Sequence, residues 1–556
     1  MRSRKLIVLL VLAIMLASAC SNSGGNSKST SNNGNPSDEP QGTAAGTSQT
    51  EGTRWDPFGK FEEPVVLNIA KSINTNAFTL PNGDTVEKNK ILDFLAEKTN
   101  VEVKYAWHVE TPDAYDQKLG VSIASRELPD AFLVNESQLK TLVKADLIAD
   151  LTETYNKALD QRFRDFYDSF GDRVLKRVTF DEKIMAIPNT SLAGEHNLLW
   201  IRQDWLDQLG LQPPQTVDEL SAIAKAFIEK DPDANDKKDT YGLIGYPWSP
   251  TYGFDSILGA FNAYQGKWLR DDSGNLVYSS TLPEMKVALG KLKEMYQEGI
   301  IDPEFAVRKE PRELVSANKA GIVFGAWSFP YYFINDSIKN DPKAEWKAYS
   351  LPLDAEGKYN VTDQNPTNSF LVVRKGYEHP EAIAKLLNWT AGTEEAKGIY
   401  PEVQLDSIWD YWPIKLVVDW EDAAYRWYEL LKQAIDEKNP ELLKNDYSDN
   451  SGWYNNYITN LDNPKKDLNA YLDVLARLEG VAQQGDSNLN ITRNAFFGQT
   501  PTMERKGAIL FKLEQETFLK IILGREPIEK FDSFVAEWKK LGGDEIAQEI
   551  EQEIGQ

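Results

Sequence analysis

Val65-Val66-Leu67-Asn68-Ile69-Ala70 (residues 65–70), followed by the amphipathic stretch 88–98 and then by the apolar run 101–107, decides the fold class of this 556-residue chain. A short run rich in branched apolar residues reads as a strand, and apolar residues at three- and four-residue spacing read as a helix. The pattern repeats outward. A helix around Tyr115 to Ser125 leads to Leu128-Pro129-Asp130-Ala131-Phe132-Leu133-Val134, a short buried strand, and another amphipathic helix follows. Strands that alternate with helices predict an α/β architecture with a parallel sheet, and the ligand-facing loops of such a sheet lie beyond the carboxyl ends of its strands. On that rule Asn135 and Glu136, directly after the third strand, are candidate binding residues; the alternative is a polar helix start.

Farther along, the stretch 179–188 reads as a hairpin that returns toward the cleft, and Leu198-Leu199-Trp200-Ile201-Arg202 as a buried strand leading away. A crossing between two lobes falls between them. Arg202 either faces the cleft or pairs with Asp204. The helix 204–209 stops at Gly210, and Thr216-Val217-Asp218-Glu219 opens the next helix with capping-box spacing.

The amino terminus carries a different message. Arg2, Arg4 and Lys5 precede an apolar run from Leu6 to Ala17 and then Ser18-Ala19-Cys20, the pattern of a lipoprotein signal, with Leu16 one place farther from the cysteine than is usual. Residues 1–19 are expected to be the signal peptide and Cys20, the single cysteine, the lipid acceptor. The apolar run is too short to span a bilayer, for which about 18–20 residues are needed. Residues 20–54 comprise the lipidated cysteine and a tether of Ser, Gly, Asn and Thr with almost nothing to bury.

The formal charge is −24, and loss of the three basic leader residues takes it to −27. Such a surface disfavours nucleic acid and anionic lipid as partners. With 41% apolar and 11% aromatic residues the chain can bury large cores, and its length implies two or more lobes. A single cysteine excludes disulfides and thiolate metal sites.

A family resemblance rests on several separate segments. Trp200-Ile201-Arg202-Gln203-Asp204-Trp205-Leu206-Asp207-Gln208-Leu209-Gly210-Leu211, Pro214 to Leu220, Gly321-Ile322-Val323-Phe324-Gly325-Ala326-Trp327, His379 to Asn388, and the end from Lys520 to Gly543 resemble the extracellular solute-binding proteins of carbohydrate ABC transporters. They are most similar to that family's large lipoprotein group of Gram-positive soil bacteria. The resemblance implies a two-lobed, periplasmic-binding-protein-like fold of type II with a hinged interlobe cleft. It implies lobe 1 at 55–190 and 365–400, and lobe 2 at 191–364 and 401–556. It implies capture of an oligosaccharide, delivery to permease and ATPase subunits, a monomer, and a place on the outer face of the cytoplasmic membrane, held there by the lipid anchor alone.

Two patterns bear on chemistry. Asp231, Asp233, Asn235, Lys237 (through its carbonyl) and Asp239 stand at positions 1, 3, 5, 7 and 9 of a loop with the spacing of an EF-hand. A hard cation needs about six oxygens, which a tight turn converges from alternate side chains. Asp236 replaces the usual glycine and Gly242 the bidentate glutamate, so a structural Ca2+ would be weaker or completed otherwise, for instance by the Thr240 carbonyl; related alginate-type proteins carry a similar calcium loop. The alternative is an Asx-rich turn. The second pattern is 15 tryptophans, several in loops: Trp248, Trp327, Trp409 and Trp412. Flat C–H faces of sugars stack on aromatic rings while their hydroxyls take amides, carboxylates and guanidinium groups. Hence these four are candidate ligand-binding residues, with Tyr252, Asp363, Gln364 and Asn365 beside them; the alternative for each aromatic is the core. Arg202 and Arg374 would offset the acidic balance locally.

Three scattered histidines and the absence of a nucleophile elbow, a His-Glu-x-x-His pair or a phosphate loop give catalysis little support. A surface glycoside hydrolase or lyase is the second reading, since acid pairs have no fixed spacing. A sensory or adhesion protein is the third.

Overall fold

The computed structural model describes residues 54–75, 79–191, 196–390, 393–400, 409–444 and 450–555. The expectation for Cys20 and the tether lies outside them. Two sheets organise the chain, both within one compact unit, Gln49–Gln556.

The first sheet has the spatial order Val101–Val109, Val65–Ser72, Ala131–Val134, Phe370–Val373, Ile187–Pro188. Its first three strands are parallel, in register Val65 to Val101 and Ile69 to Ala131. The intervening helices form where the sequence signals fall. Asn89 caps Lys90–Thr99 by accepting from the Leu92 amide at 3.0 Å. Asn100 ends that helix in the left-handed region at φ 58° and donates to the Phe61 carbonyl at 3.0 Å. The last two strands pair antiparallel. The expected all-parallel sheet is therefore mixed, because both added strands belong to chain entering from or returning toward the other lobe. The hairpin is short, Thr179–Phe180 with Lys183–Ile184, and turns through Asp181 and Glu182, both at positive φ.

The second sheet is antiparallel, with fully buried Leu198–Arg202 between Ile322–Gly325 and Trp346–Tyr349. The helices Pro501–Ile522, Lys530–Trp538 and Asp544–Ile554 pack on this lobe. Trp538 stacks on Tyr278 at 4.3 Å and 3°.

Each sheet has its own apolar core. Phe163, Phe166, Leu371, Ile383 and Leu386 fill the first; Trp205, Phe227, Leu289, Phe324 and Phe518 fill the second. Tyr411, Trp412, Ile414, Leu416 and Val418 also enter the first core. Residues 411–418 therefore belong with lobe 1, not with the 401–556 portion of lobe 2. These apolar side chains complete the underside of the first sheet, and only the fold tells which of two cores an apolar segment enters. Among the described residues no helix is long and apolar enough to cross a membrane.

Candidate functional site

Four cavities follow one stretch of chain, residues 360–369, on its way from the second sheet to the first. One of about 270 Å3 takes lining from Asn360, Val361, Thr362 and Gln364. One of about 40 Å3 takes Asp363 and Pro366. One of about 520 Å3 takes Asn365 and Asn368, and one of about 300 Å3 takes Asn368 and Ser369.

The largest cavity joins both lobes. Asn135, Glu136, Ser137 and Arg177 face Phe497, Gly498, Gln499 and Met503 across it. Asn135 and Glu136 open the helix Glu136–Lys144 at the carboxyl end of Ala131–Val134, where α/β sheets present ligands. Asn135 forms a capping box with Gln138, 2.9 Å in each direction. Arg177 fixes the floor. Its guanidinium donates to Asn365 Oδ1 at 2.6 Å, to the Thr367 carbonyl at 2.8 Å, and closely to Glu136. Asn189 ties the two crossing segments together: its Oδ1 accepts from Thr367 Oγ1, Asn368 N and Ser369 N at 2.9–3.0 Å.

Beside the small cavity, charges alternate across the lobes. Glu421 accepts from Arg173 at 2.5 Å and Arg493 at 2.8 Å, and Asp363 lies 3.6 Å from Arg493 and 3.9 Å from Arg173. Burial raises the Asp363 pKa against the pull of both arginines. For Glu421, burial also works upward, but hydrogen bonds from the same two arginines hold it below the ordinary value. In the cavity of about 300 Å3, burial pushes Lys71 down to about 7 against the attraction of Asp410, and its ammonium donates to the Trp412 carbonyl.

His196, directly after the first crossing, is 8% exposed and its Nε2 has no hydrogen-bond partner. Burial lowers its pKa to about 4. The folded value lies below the unfolded 6.5, so the unfolded chain takes the proton first as pH falls. His196 is expected to cost the fold about 3 kcal/mol between pH 6.5 and pH 4. Melting wild type and His196→Gln across that range checks this: the wild type should lose the larger stability, and parallel pH curves would refute it.

The sequence candidates separate into two groups. Asn135, Glu136, Asp363, Gln364 and Asn365 line the cavities. Arg202 does not: it is 2% exposed, pairs with Asp204 at 2.6 Å and Asp341 at 3.0 Å, donates to Asn318, and lies over Trp205 at 4.6 Å. Trp327 is buried under Arg477, whose guanidinium stands 4.4 Å from its ring, and Trp412 is buried in the first core. Tyr252 is buried edge-on to Phe305 at 5.3 Å. The three aromatics are core-facing because the apolar area of a large ring gains most from full burial, whatever loop carries it. Trp248 is 58% exposed and stacks on Tyr246 at 5.5 Å; its neighbour Ser249 lines the cavity of about 270 Å3. The Trp409 side chain lies outside the described part. Arg374 pairs with Asp130 at 2.7 Å. Arg177, Asn189, Asn368 and the loop 497–499 were not legible as site residues, since they sit in segments with no periodicity and far apart in sequence.

The loop 231–239 turns through Asp231, Ala234 and Asp236, all at positive φ. Oδ1 of Asp231 and Oδ1 of Asp233 are buried without a hydrogen-bond partner. Burial first, then Asp231 and Asp239, push Asp233 up to about 6. The Asn235 amide donates to Asp233 and Asp239, and Lys319 pairs with Asp239 at 3.0 Å. The Asn235 amide thus bridges Asp233 and Asp239, and among the described residues no group of three or more His, Cys, Asp or Glu side chains is set to hold a metal ion. The two orphaned carboxylate oxygens fit a hard cation; the rest of the set would have to turn inward.

Comparison with known proteins places this geometry. Lipoprotein LipO of Bacillus subtilis (strain 168) is 30% identical over 250 residues, 43% of this chain and 46% of that protein. The polygalacturonan/rhamnogalacturonan-binding protein YtcQ of the same organism is 27% identical over 243 residues, 43% of this chain and 47% of that one. The match therefore spans about half the length of these relatives. The crystal structure of an extracellular solute-binding protein from Bifidobacterium longum subsp. infantis shares the fold with a TM-score of 0.63 at 16% identity, over 88% of this chain and 98% of that one. The two-lobed α/β fold expected from the sequence is thus the observed one. Residues 79–397 match the family of bacterial extracellular solute-binding proteins, and the chain belongs to that family.

Proposed function

We propose that this chain is the lipid-anchored extracellular binding subunit of an ABC importer, which closes its lobes on an oligosaccharide and hands it unchanged to the permease. The observation that carries this reading is the row of cavities along residues 360–369, lined from both lobes by amides, carboxylates and guanidinium groups. Sugar hydroxyls both donate and accept, so a wall of mixed donors and acceptors suits them. Family membership and the name of the relative YtcQ support a carbohydrate. Acylation of Cys20 would supply the tether, since two or more acyl chains are needed for stable anchoring.

The test is thermal melting of residues 21–556 against neutral and acidic oligosaccharides two to six units long, with product analysis of each hit. A ligand at about 100 times its Kd should add about 2.7 kcal/mol. A hit recovered intact supports the receptor; a hit that is cleaved moves the protein to the glycoside hydrolase or lyase reading.

We also propose a structural Ca2+ in the loop 231–239, held by Asp231 and Asp233 through the oxygens that lack partners, with Asn235, the Lys237 carbonyl and Asp239 turning to complete it. Burying a carboxylate oxygen without a partner is costly, and a cation relieves it. Calcium at about 100 times its Kd should stabilise the protein by about 2.7 kcal/mol. A paired Asp231→Ala, Asp233→Ala variant should lose that gain while keeping its sugar affinity. Unchanged melting of the wild type at saturating calcium would dismiss the site.

A further inference from the structure

The cavity of about 270 Å3 holds three polar side chains with hydrogen-bonding capacity that the described residues leave unused. Lys267 is half-buried on its wall, yet its ammonium makes no hydrogen bond or ion pair with any described residue. Burial lowers its pKa against the longer-range attraction of Asp255 and Asp363. Asp255 accepts from Thr251 Oγ1 at 2.6 Å and from Asn197 Nδ2 at 3.1 Å, both on Oδ2, which leaves Oδ1. The exposed side-chain amide of Gln364 is likewise unpaired among the described residues. The backbone that frames these groups is closely fitted. A side chain at Gly259 would come within 2.2 Å of the Asn360 carbonyl, so glycine lets the short helix Asp255–Gly259 lie against the crossing strand.

A lysine on a cavity wall, in a chain with 85 acidic residues, ordinarily meets a carboxylate. Here an ammonium, a carboxylate oxygen and a primary amide instead share one cavity, each with capacity to spare. Adjacent hydroxyls of a sugar satisfy such a set together, one donating to Asp255 while another accepts from Lys267. A uronate or phosphate would meet Lys267 but would also face the Asp255 charge, so the set favours a neutral ring. The same cavity shares His196, Val361, Thr362 and Gln364 with the small cavity at Asp363, and the crossing segment then runs on to Asn365 and Asn368 in the largest.

Building on the oligosaccharide reading above, we infer that the Asp255–Lys267–Gln364 cavity is a terminal subsite that seats one neutral sugar ring of a ligand extending along residues 360–369 toward Glu136. Only chains long enough to reach it feel these residues. The experiment is calorimetric titration of wild type, Lys267→Met and Gln364→Ala with fructo-, xylo- and malto-oligosaccharides and oligogalacturonides of two to six units. Melting curves check that each variant folds, and Gln364→Ala, on an exposed side chain, decides the matter should Lys267→Met fail to fold. In the neutral series that binds, both variants should weaken the longest members by about tenfold or more and the shortest by less than about twofold. Three results overturn the subsite: unchanged affinity at every length, an equal loss at every length, or an oligogalacturonide that binds wild type more tightly than the neutral sugar of its length. A wild type that binds no member overturns the oligosaccharide reading itself.

Discussion

Trp205→Ala is expected to lower the free energy of unfolding by about 3–5 kcal/mol, the cost of deleting a large ring from a core that cannot collapse around the hole. Trp205 is 1% exposed. Its ring meets Phe227 edge-on at 5.2 Å and supports the Arg202 guanidinium at 4.6 Å. On another side it packs on bare backbone: a side chain at Gly321 would come within 2.4 Å of its Cε3. Truncation therefore removes apolar contact and the platform beneath a buried cation whose hydrogen bonds reach Asp204, Asn318 and Asp341. Denaturant titration of the second lobe, followed by tryptophan fluorescence and circular dichroism, measures the loss. A change below about 1 kcal/mol would mean that the ring is not a core element.

Arg177→Met is expected to weaken binding of whichever oligosaccharide the wild type takes by about 100-fold, near 3 kcal/mol. The arginine organises the wall of the largest cavity, holding Asn365, the Thr367 carbonyl and Glu136 with one planar group. Methionine keeps an apolar stem of similar width without the guanidinium, and leaves the Glu136 carboxylate, 14% exposed, with Lys140 at 3.2 Å as its remaining partner. Glu136 and Asn365 would then adopt other rotamers, and the ligand would have to reorder them. Arg177→Lys keeps the charge without the fork and should fall between. Titration calorimetry on the folded variants decides; a Met variant with wild-type affinity would remove Arg177 from the site.

Much of the first lobe was legible because its signals are local. The run 65–70, the amphipathic stretch 88–98 and the strand ending at Val134 each declare themselves within a dozen residues, and the rule for strand ends then placed Asn135 and Glu136 at a cavity. The aromatic candidates followed a rule of composition. A loop Trp reads the same whether it faces water, as Trp248 does, or a core, as Trp327 and Trp412 do. Arg202 left two outcomes open in sequence, and the structure resolves them through Asp341 and Asn318, more than a hundred residues away.

The sequence by itself determined the α/β class, the strand at Leu198–Arg202 and the oxygen spacing of the loop 231–239, because each is written in near-neighbour spacing of apolar, polar or charged residues. Only the tertiary structure decided that the first sheet is mixed, that 411–418 packs under it, and that Arg177, Asn189, Lys267 and the loop 497–499 gather around one crossing segment. Those groupings come from chain paths that leave a lobe and return, bringing together residues separated by up to about 360 positions, such as Glu136 and Gly498. Hydropathy periods and capping motifs act over one or two turns, so they specify elements; which elements share a wall is set by how two cores bury their apolar faces.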